Sequence, residues 1–350
     1  MKDQQDQPNP TRTNSARSEF DFIASLRKRV ATSTHSVVTG VGDDAAVFRG
    51  SSGKETVITT DLLIEDIDFR RTTTPPYLLG HKALAVSLSD LAAMGSRPLW
   101  ALVSIGVPED VWATDFVDRM YSGWLDLANH YGVQLIGGDT SRAHEQIVID
   151  SIAIGECSAG MAVKRKGASV GDHIFVTGSL GAAAAGLRLI ERGAHLAEQS
   201  LADEDSQKLD HVLLRQLRPE PRVGWGIVLG EEQLATAMID LSDGLSSDLN
   251  HLCAASKVGA LIDASTLPID ERVVELCGRR ALDPLQLALH GGEDFELLFT
   301  VKPENVVRLP RRVDEVEIKR IGTIQAEQEG IMISEGSRTW KLEPGGWKHF

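Results

Sequence analysis

Six short acidic motifs, each at the end of an apolar run, restrict what this chain of 350 residues can fold into. They read Gly42-Asp43-Asp44, Thr59-Thr60-Asp61, Ser87-Leu88-Ser89-Asp90, Gly137-Gly138-Asp139-Thr140, Asp240-Leu241-Ser242-Asp243-Gly244 and Gly291-Gly292-Glu293-Asp294. A carboxylate beside a glycine or a hydroxyl, at a strand-to-loop junction, suits a hard cation. A fold that gathered these motifs would hold several Mg²⁺ ions, and Mg²⁺ usually arrives with phosphates.

The chain is longer than one hydrophobic core usually grows, so two domains are expected. A formal net charge of −14 argues against nucleic acid or an anionic membrane as a partner, because phosphate backbones need stripes of Lys and Arg. It does not argue against a small phosphorylated molecule, because bound cations invert the local field. Cys157, Cys253 and Cys277 fit no zinc spacing; an odd number so widely spread suggests buried, reduced thiols in a cytoplasmic protein. No apolar run reaches the roughly 20 residues needed to span a bilayer. Residues 1–18 are polar and read as a disordered tail.

Ordered structure is expected from Glu19-Phe20-Asp21-Phe22, leading a short amphipathic helix with Asp21 as a cap. Glu55–Ile64 is β-branched and reads as a strand. Leu79–Met94 reads as a helix stopped by Gly95 and Pro98, which puts Asp90 in its C-terminal half, where a carboxylate opposes the helix dipole and wants a cation. Trp100–Val107 reads as a strand and Asp110–Tyr131 as one helix whose large residues recur every three or four positions. Val133–Ile136 reads as a strand running into Gly137-Gly138-Asp139, and Ile147–Ile154 as another. The pattern loosens between Gly155 and Gly171, so domains are expected over 19–160 and 161–350. Beyond, His173–Thr177, Ala235–Asp240, Phe295–Val301, Glu315–Ile324 and Gly330–Ile333 read as strands, and Ala182–Ile190 and Asp243–Ala255 as helices. Both halves mix α and β without a regular βαβ rhythm.

Gly40-Val41-Gly42-Asp43-Asp44-Ala45 matches a dinucleotide fingerprint on paper, but two carboxylates would face the pyrophosphate and no good helix follows. Gly224-x-Gly226 lies inside an apparent helix. There is no P-loop and no protein-kinase signature. Any one acidic motif is commonly a cap or a turn; their joint occurrence is the stronger signal. Asp240 and Asp243 flank a strand-to-helix junction with the Ser242 hydroxyl between them. Arg165, near the expected inter-domain cleft, is the best basic candidate for a phosphate, the alternative being a solvated charge in a Lys/Arg run. His81 and His130 show no metal spacing and read as surface or satisfied core groups.

GVGDDAAV, ITTDLL, KALAVSLSDLAAMGSRP, QLIGGDTS, IDLSDGLSSDL and GGEDFELLFTV, in this order, resemble the thiamine-monophosphate kinase family, within the superfamily of aminoimidazole ribonucleotide synthetases and selenide water dikinases. The resemblance covers roughly residues 19–350. It implies an α+β, two-domain aminoimidazole ribonucleotide synthetase-like fold: an N-terminal mixed domain whose strands build a shared barrel in a homodimer, and a C-terminal α+β domain. It implies Mg²⁺-dependent transfer of a phosphoryl group from ATP to thiamine monophosphate. Residue by residue, it implies metal ligation by Asp43, Asp44, Thr59, Thr60, Asp61, Asp90, Asp139, Asp240 and Asp243. ATP contacts fall on Gly138, Asp139, Arg165 and Ser242, and substrate contacts on position 68, Glu293 and Trp347. No covalent nucleophile is implied; Asp90, Asp139 and Asp240 assist through metal.

One position departs from the family pattern. Asp68 stands where the family usually has a histidine after the T-T-D motif, and an acid there would repel a substrate phosphate unless a metal, Arg70 or Arg71 intervened. Other readings are a different ATP-dependent enzyme of the superfamily, a catalytically impaired nucleotide- or thiamine-phosphate-binding protein, or a structural cation-binding protein.

Overall fold

A helix with almost no exposed face runs through the centre of the molecule. Pro76–Ala93 is α-helical and fourteen of its residues, from Leu79 to Ala93, are buried. Such a helix is enclosed because it has neighbours all round, and its few polar residues need partners. The computed structural model describes residues 36–50, 53–196, 204–278 and 282–347, together with Ile23 and Lys28. The expected tail, the Glu19–Phe22 helix start with Asp21, and Lys348-His349-Phe350 lie outside the described residues.

The N-terminal part contains β1 (Val37–Thr39), β2 (Ala46–Arg49), β3 (Lys54–Ile64), the central helix α1 (Pro76–Ala93), β4 (Arg97–Val107), α2 (Glu109–Trp112), α3 (Phe116–Tyr131), β5 (Gln134–Arg142) and β6 (Val148–Ser158). Its strands form one sheet in the order β1-β2-β3-β6-β4-β5, with only β4 and β5 parallel. α1 lies close against α3. A Cβ on Gly80 would come within 1.8 Å of the Met120 carbonyl, and one on Gly123 within 1.8 Å of the Tyr77 carbonyl. The helix expected over Asp110–Tyr131 is broken in two: Ala113 ends α2, and the Thr114 hydroxyl accepts the Phe116 N–H to start α3.

The C-terminal part contains β7 (His173–Thr177), α4 (Ala182–Glu191), α5 (Glu204–Leu217), α6 (Val223–Glu231), β8 (Ala237–Asp240), α7 (Leu245–Ser256), β9 (Gly259–Asp263), α8 (Glu271–Gly278), α9 (Pro284–His290), β10 (Leu297–Val301), β11 (Arg312–Val313), β12 (Val316–Gln325), β13 (Ile331–Glu335) and β14 (Arg338–Lys341). Seven strands follow the order β14-β13-β9-β12-β7-β10-β8, and β11 pairs with β12. The two parts share one core: Leu88 and Leu91 of α1, with Met94 just after it, belong to the same buried cluster as Trp225, Met238 and Phe299.

That arrangement places the chemistry. α1 packs on β3 and β6 from one side and on α6 and β8 from the other. Side chains on its C-terminal half therefore reach strand ends of both sheets.

Candidate metal and nucleotide site

Asp90 projects from α1, Asp44 from the turn between β1 and β2, and Asp240 from the last position of β8. Carboxylate oxygens of these three residues lie within 4.8 Å of one another. Hydroxyls from neighbouring elements orient them. Ser89 donates to Asp240 (2.7 Å) across the two parts of the molecule, Ser87 donates to Asp61 (2.7 Å), and Thr59 donates to Asp90.

The acids are costly as they stand. Burial raises the Asp240 carboxyl to about 7, with Asp44 adding repulsion, and Asp61 to about 6. Asp43 rises to about 6 through burial and the neighbouring Asp44. Asp90 is pushed well above the ordinary range by burial and then by Asp61, Asp240 and Asp44. Arg165 offsets part of this by pairing its guanidinium with Asp44, and its N–H donates to Asp43 (3.2 Å). The second Asp44 oxygen is buried without a hydrogen-bond partner. Buried carboxylates that are close together, oxygen-only and incompletely satisfied fit a hard divalent cation.

A pH dependence follows. These acids hold protons more tightly in the folded protein than in the unfolded chain. Between the ordinary value of 3.8 and about 7 the folded state binds more protons, so the metal-free protein loses stability as pH rises through that interval. Mg²⁺ should reverse the loss and release protons on binding. The rise in Tm on adding Mg²⁺ is expected to be larger at about pH 8 than at about pH 6; equal rises measured by calorimetry contradict it.

The cluster adjoins a cleft of about 1970 Å³ between the two parts. Its lining includes Asp43, Asp44, Thr59, Thr60, Asp61, Asp68, Arg165, Ser242, Asp243, Glu293 and Trp347. Thr59 and Asp61 face one side of β3, as alternate strand residues do, while the Thr60 hydroxyl donates to Asp150 (2.6 Å) on β6. Asp243 does not cap the helix after it. Gly244 is the N-cap of α7, and it is Asp248 that accepts the Asp243 and Gly244 N–H groups. Trp347 is half-exposed at the rim, its N–H donated to the Asp243 carbonyl (3.1 Å). His81 is a satisfied core group, its Nε2 2.8 Å from the Pro219 carbonyl.

Two expected site residues are not brought to the cluster. The strand expected to end at Ile136 continues as β5 through Arg142, so Gly138 and Asp139 lie within it, exposed. Gly138 is needed there because a Cβ would meet the Val103 carbonyl at 1.9 Å. Asp61 pairs with Ser151, Ser151 with Val103, and Val103 with Gly138. Three strand spacings, about 14 Å, separate this motif from Asp61 within one chain.

Asp68 lines the cleft. Its carboxylate accepts the Ile64 N–H (2.8 Å) and closes the turn after β3. Arg71 is bound to Glu65 and to the Glu145 carbonyl, while Arg70 lines the cleft. Sequence reasoning passed over Lys82, a buried cation paired with Glu293 (2.6 Å), and Gln216, whose amide also donates to Glu293. Lys82 precedes Asp90 by two helical turns on the same stripe, which was the available signal.

Family models described as AIR synthase related protein, N-terminal and C-terminal domains, match residues 42–157 and 169–335, and the chain belongs to that class. Within it, the chain belongs to the thiamine-monophosphate kinase family. It is 38% identical to the thiamine-monophosphate kinase of Bacillus subtilis (strain 168) over 95% of this chain and 99% of that one, and 37% identical to that of Escherichia coli (strain K12) over 95% and 98%. A solved structure described as "AaThiL complexed with AMPPCP and TMP" superposes with a TM-score of 0.80 at 32% identity, covering 95% of this chain and 97% of that one. The thiamine-monophosphate kinase of Stenotrophomonas maltophilia K279a gives 0.73 at 36%, covering 90% and 95%. Hydrogenase maturation protein HypE, at 20% identity and a TM-score of 0.64, shares the fold.

Proposed function

We propose that this chain transfers the γ-phosphoryl group of ATP directly to thiamine monophosphate, giving thiamine diphosphate and ADP. The observation that carries the reading is the buried Asp44–Asp90–Asp240 cluster opening on a cleft wide enough for two phosphorylated molecules. Relatives alike over nearly their whole length bear the kinase's name.

Asp44, Asp90 and Asp240 would hold Mg²⁺, with Asp43, Thr59, Thr60, Asp61 and Asp243 around it. Bound there, Mg²⁺ supplies positive charge to phosphate oxygens. The chain does the rest. Ser87, Ser89 and Thr59 fix the carboxylates, which limits reorganisation during transfer. Arg165, paired with Asp44 here, would be placed to fork to a nucleotide phosphate. Ser242 lines the same cleft. The acceptor is already an ionised phosphate monoester, so no general base and no phosphorylated side chain is required. Glu293 and Trp347 line the acceptor end.

We further propose a homodimer in which the N-terminal strands build a shared barrel; β5, exposed along its length, supports it. Gly138 and Asp139 would then act from that face on nucleotide and metal. Asp139→Asn should lower kcat at least about tenfold; unchanged turnover would remove Asp139 from the site. The domain division at 160/161 is supported by β6 and β7, which belong to different sheets. Three free, buried cysteines support a cytoplasmic location. Among the described residues, no helix is long and apolar enough to cross a membrane.

The test is direct. Purified protein, ATP, Mg²⁺ and thiamine monophosphate should yield thiamine diphosphate and ADP in equal amounts. ADP without thiamine diphosphate indicates another acceptor, and ATP binding without either product indicates a binding protein.

A further inference from the structure

Two turns along α1 from Asp90 lies an ion pair that joins the two parts of the molecule. Lys82 of α1 is 2% exposed, and its ammonium sits 2.6 Å from Glu293 Oε1 and 3.5 Å from the Asp68 carbonyl. Glu293 comes from the segment between α9 and β10, and its other oxygen accepts the amide of Gln216 on α5. Both partners line the cleft, and 29% of the Glu293 side chain is exposed to it.

Three features show that the position of Glu293 is imposed. Its φ is +67°, a conformation that a glutamate adopts only where surroundings enforce it. Its N–H is donated to the Ser242 carbonyl (2.8 Å), tying the segment to the loop that carries Ser242 and Asp243. The following residue, Asp294, is buried and accepts the Gly181 and Ala183 N–H groups at the start of α4. The backbone is thus held independently of Lys82, and what Lys82 adds is the direction of the carboxylate.

Lys82, Val86 and Asp90 form one stripe of α1, and Lys82 and Val86 both reach the cleft. Eight residues of helix separate Lys82 from Asp90 by about 12 Å along the axis. Thiamine monophosphate carries its phosphate on the hydroxyethyl arm of its thiazolium, and its aminopyrimidine forms the opposite end. A carboxylate set back along the cleft from the reacting phosphate suits the amino N–H of that ring and leaves the ATP phosphates untouched.

Resting on the kinase reading above, we infer that Lys82 is a positioning residue of the acceptor subsite: it holds the Glu293 carboxylate across the domain boundary for the organic end of thiamine monophosphate. An ordinary structural ion pair would change stability, or both substrates alike. A positioning pair changes one substrate.

The experiment measures KM for both substrates in wild type, Lys82→Met, Glu293→Gln and the double variant. Each single variant should raise the KM for thiamine monophosphate about tenfold or more and leave that for ATP within about twofold. The double variant should be no worse than the worse single one, because the two act as a unit. Unchanged acceptor KM in a folded Lys82→Met, equal rises for both substrates, or additive losses overturn the inference. Should Lys82→Met fail to fold, Glu293→Gln, which retains the buried lysine, decides it by the same split. Wild type that makes no thiamine diphosphate refutes the kinase reading and this inference with it; wild type that turns over with indifferent variants refutes the inference alone.

Discussion

Asp90→Asn is expected to lower kcat by about two to three orders of magnitude while leaving the protein folded. Asp90 lies within 4.8 Å of both Asp44 and Asp240 and is the one acid of the three on the central helix. Asparagine keeps the shape and can still accept the Thr59 hydroxyl, so packing is retained and charge alone is removed. Taking one charge from mutually repelling carboxylates should raise the Tm of the metal-free protein, because burial and the neighbours Asp61, Asp240 and Asp44 all disfavour the ionised form. Higher metal-free stability with lost turnover distinguishes a ligand from a structural acid. Near-normal turnover at saturating Mg²⁺ would mean that Asp90 holds no shared cation.

The largest effect on stability is expected at Glu296, two residues beyond Asp294. Its carboxylate is fully buried and takes Arg222 through two contacts of 2.5 Å, Arg215 at 2.8 Å and the Thr177 hydroxyl at 2.7 Å. Burial alone would raise its carboxyl, yet the two guanidiniums hold it below the ordinary value. Glu296→Gln leaves two buried cations facing a neutral amide. Breaking a buried pair on one side costs about 3–5 kcal/mol, a large share of the stability of an ordinary domain. Urea unfolding should show a lower midpoint. The contrast is Arg312→Gln, which removes solvent-exposed, screened pairs with Glu315 and Glu317 and should leave the midpoint nearly unchanged. Comparable losses at the two positions would contradict this account of the C-terminal core.

What was legible in the sequence was mostly local. The short apolar run of His173–Thr177 and the glycine after it mark β7 at its observed ends, and the Ala- and Leu-rich run before Gly95 marks α1. Asp44, Asp90 and Asp240 were each visible as acids at element ends. Their meeting was not, because Asp90 is 46 residues from Asp44 and 150 from Asp240, and only the packing of α1 between the sheets joins them. The resemblance to a family bridged that gap. The apolar pattern ended the strand at Ile136, but parallel pairing with β4 draws Gly137, Gly138 and Asp139 into the sheet. The hydrogen bond from the Ile64 N–H to Asp68, which closes a local turn, was not legible in the sequence. Short strands such as β9 went unread because their pairing with β12 and β13 is non-local. Lys82 was hidden in the pattern of a buried helix, where a lysine is unexpected until its partner from residue 293 is seen.

The central claim is that carboxylates from both parts of the chain hold the cations on which transfer depends. Anomalous diffraction from crystals grown with Mn²⁺ and a non-hydrolysable ATP analogue measures this most directly. Peaks between Asp44, Asp90 and Asp240, beside the analogue's phosphates, are the predicted result. Manganese bound only elsewhere, with these three carboxylates still hydrogen-bonded as in the metal-free protein, would contradict it.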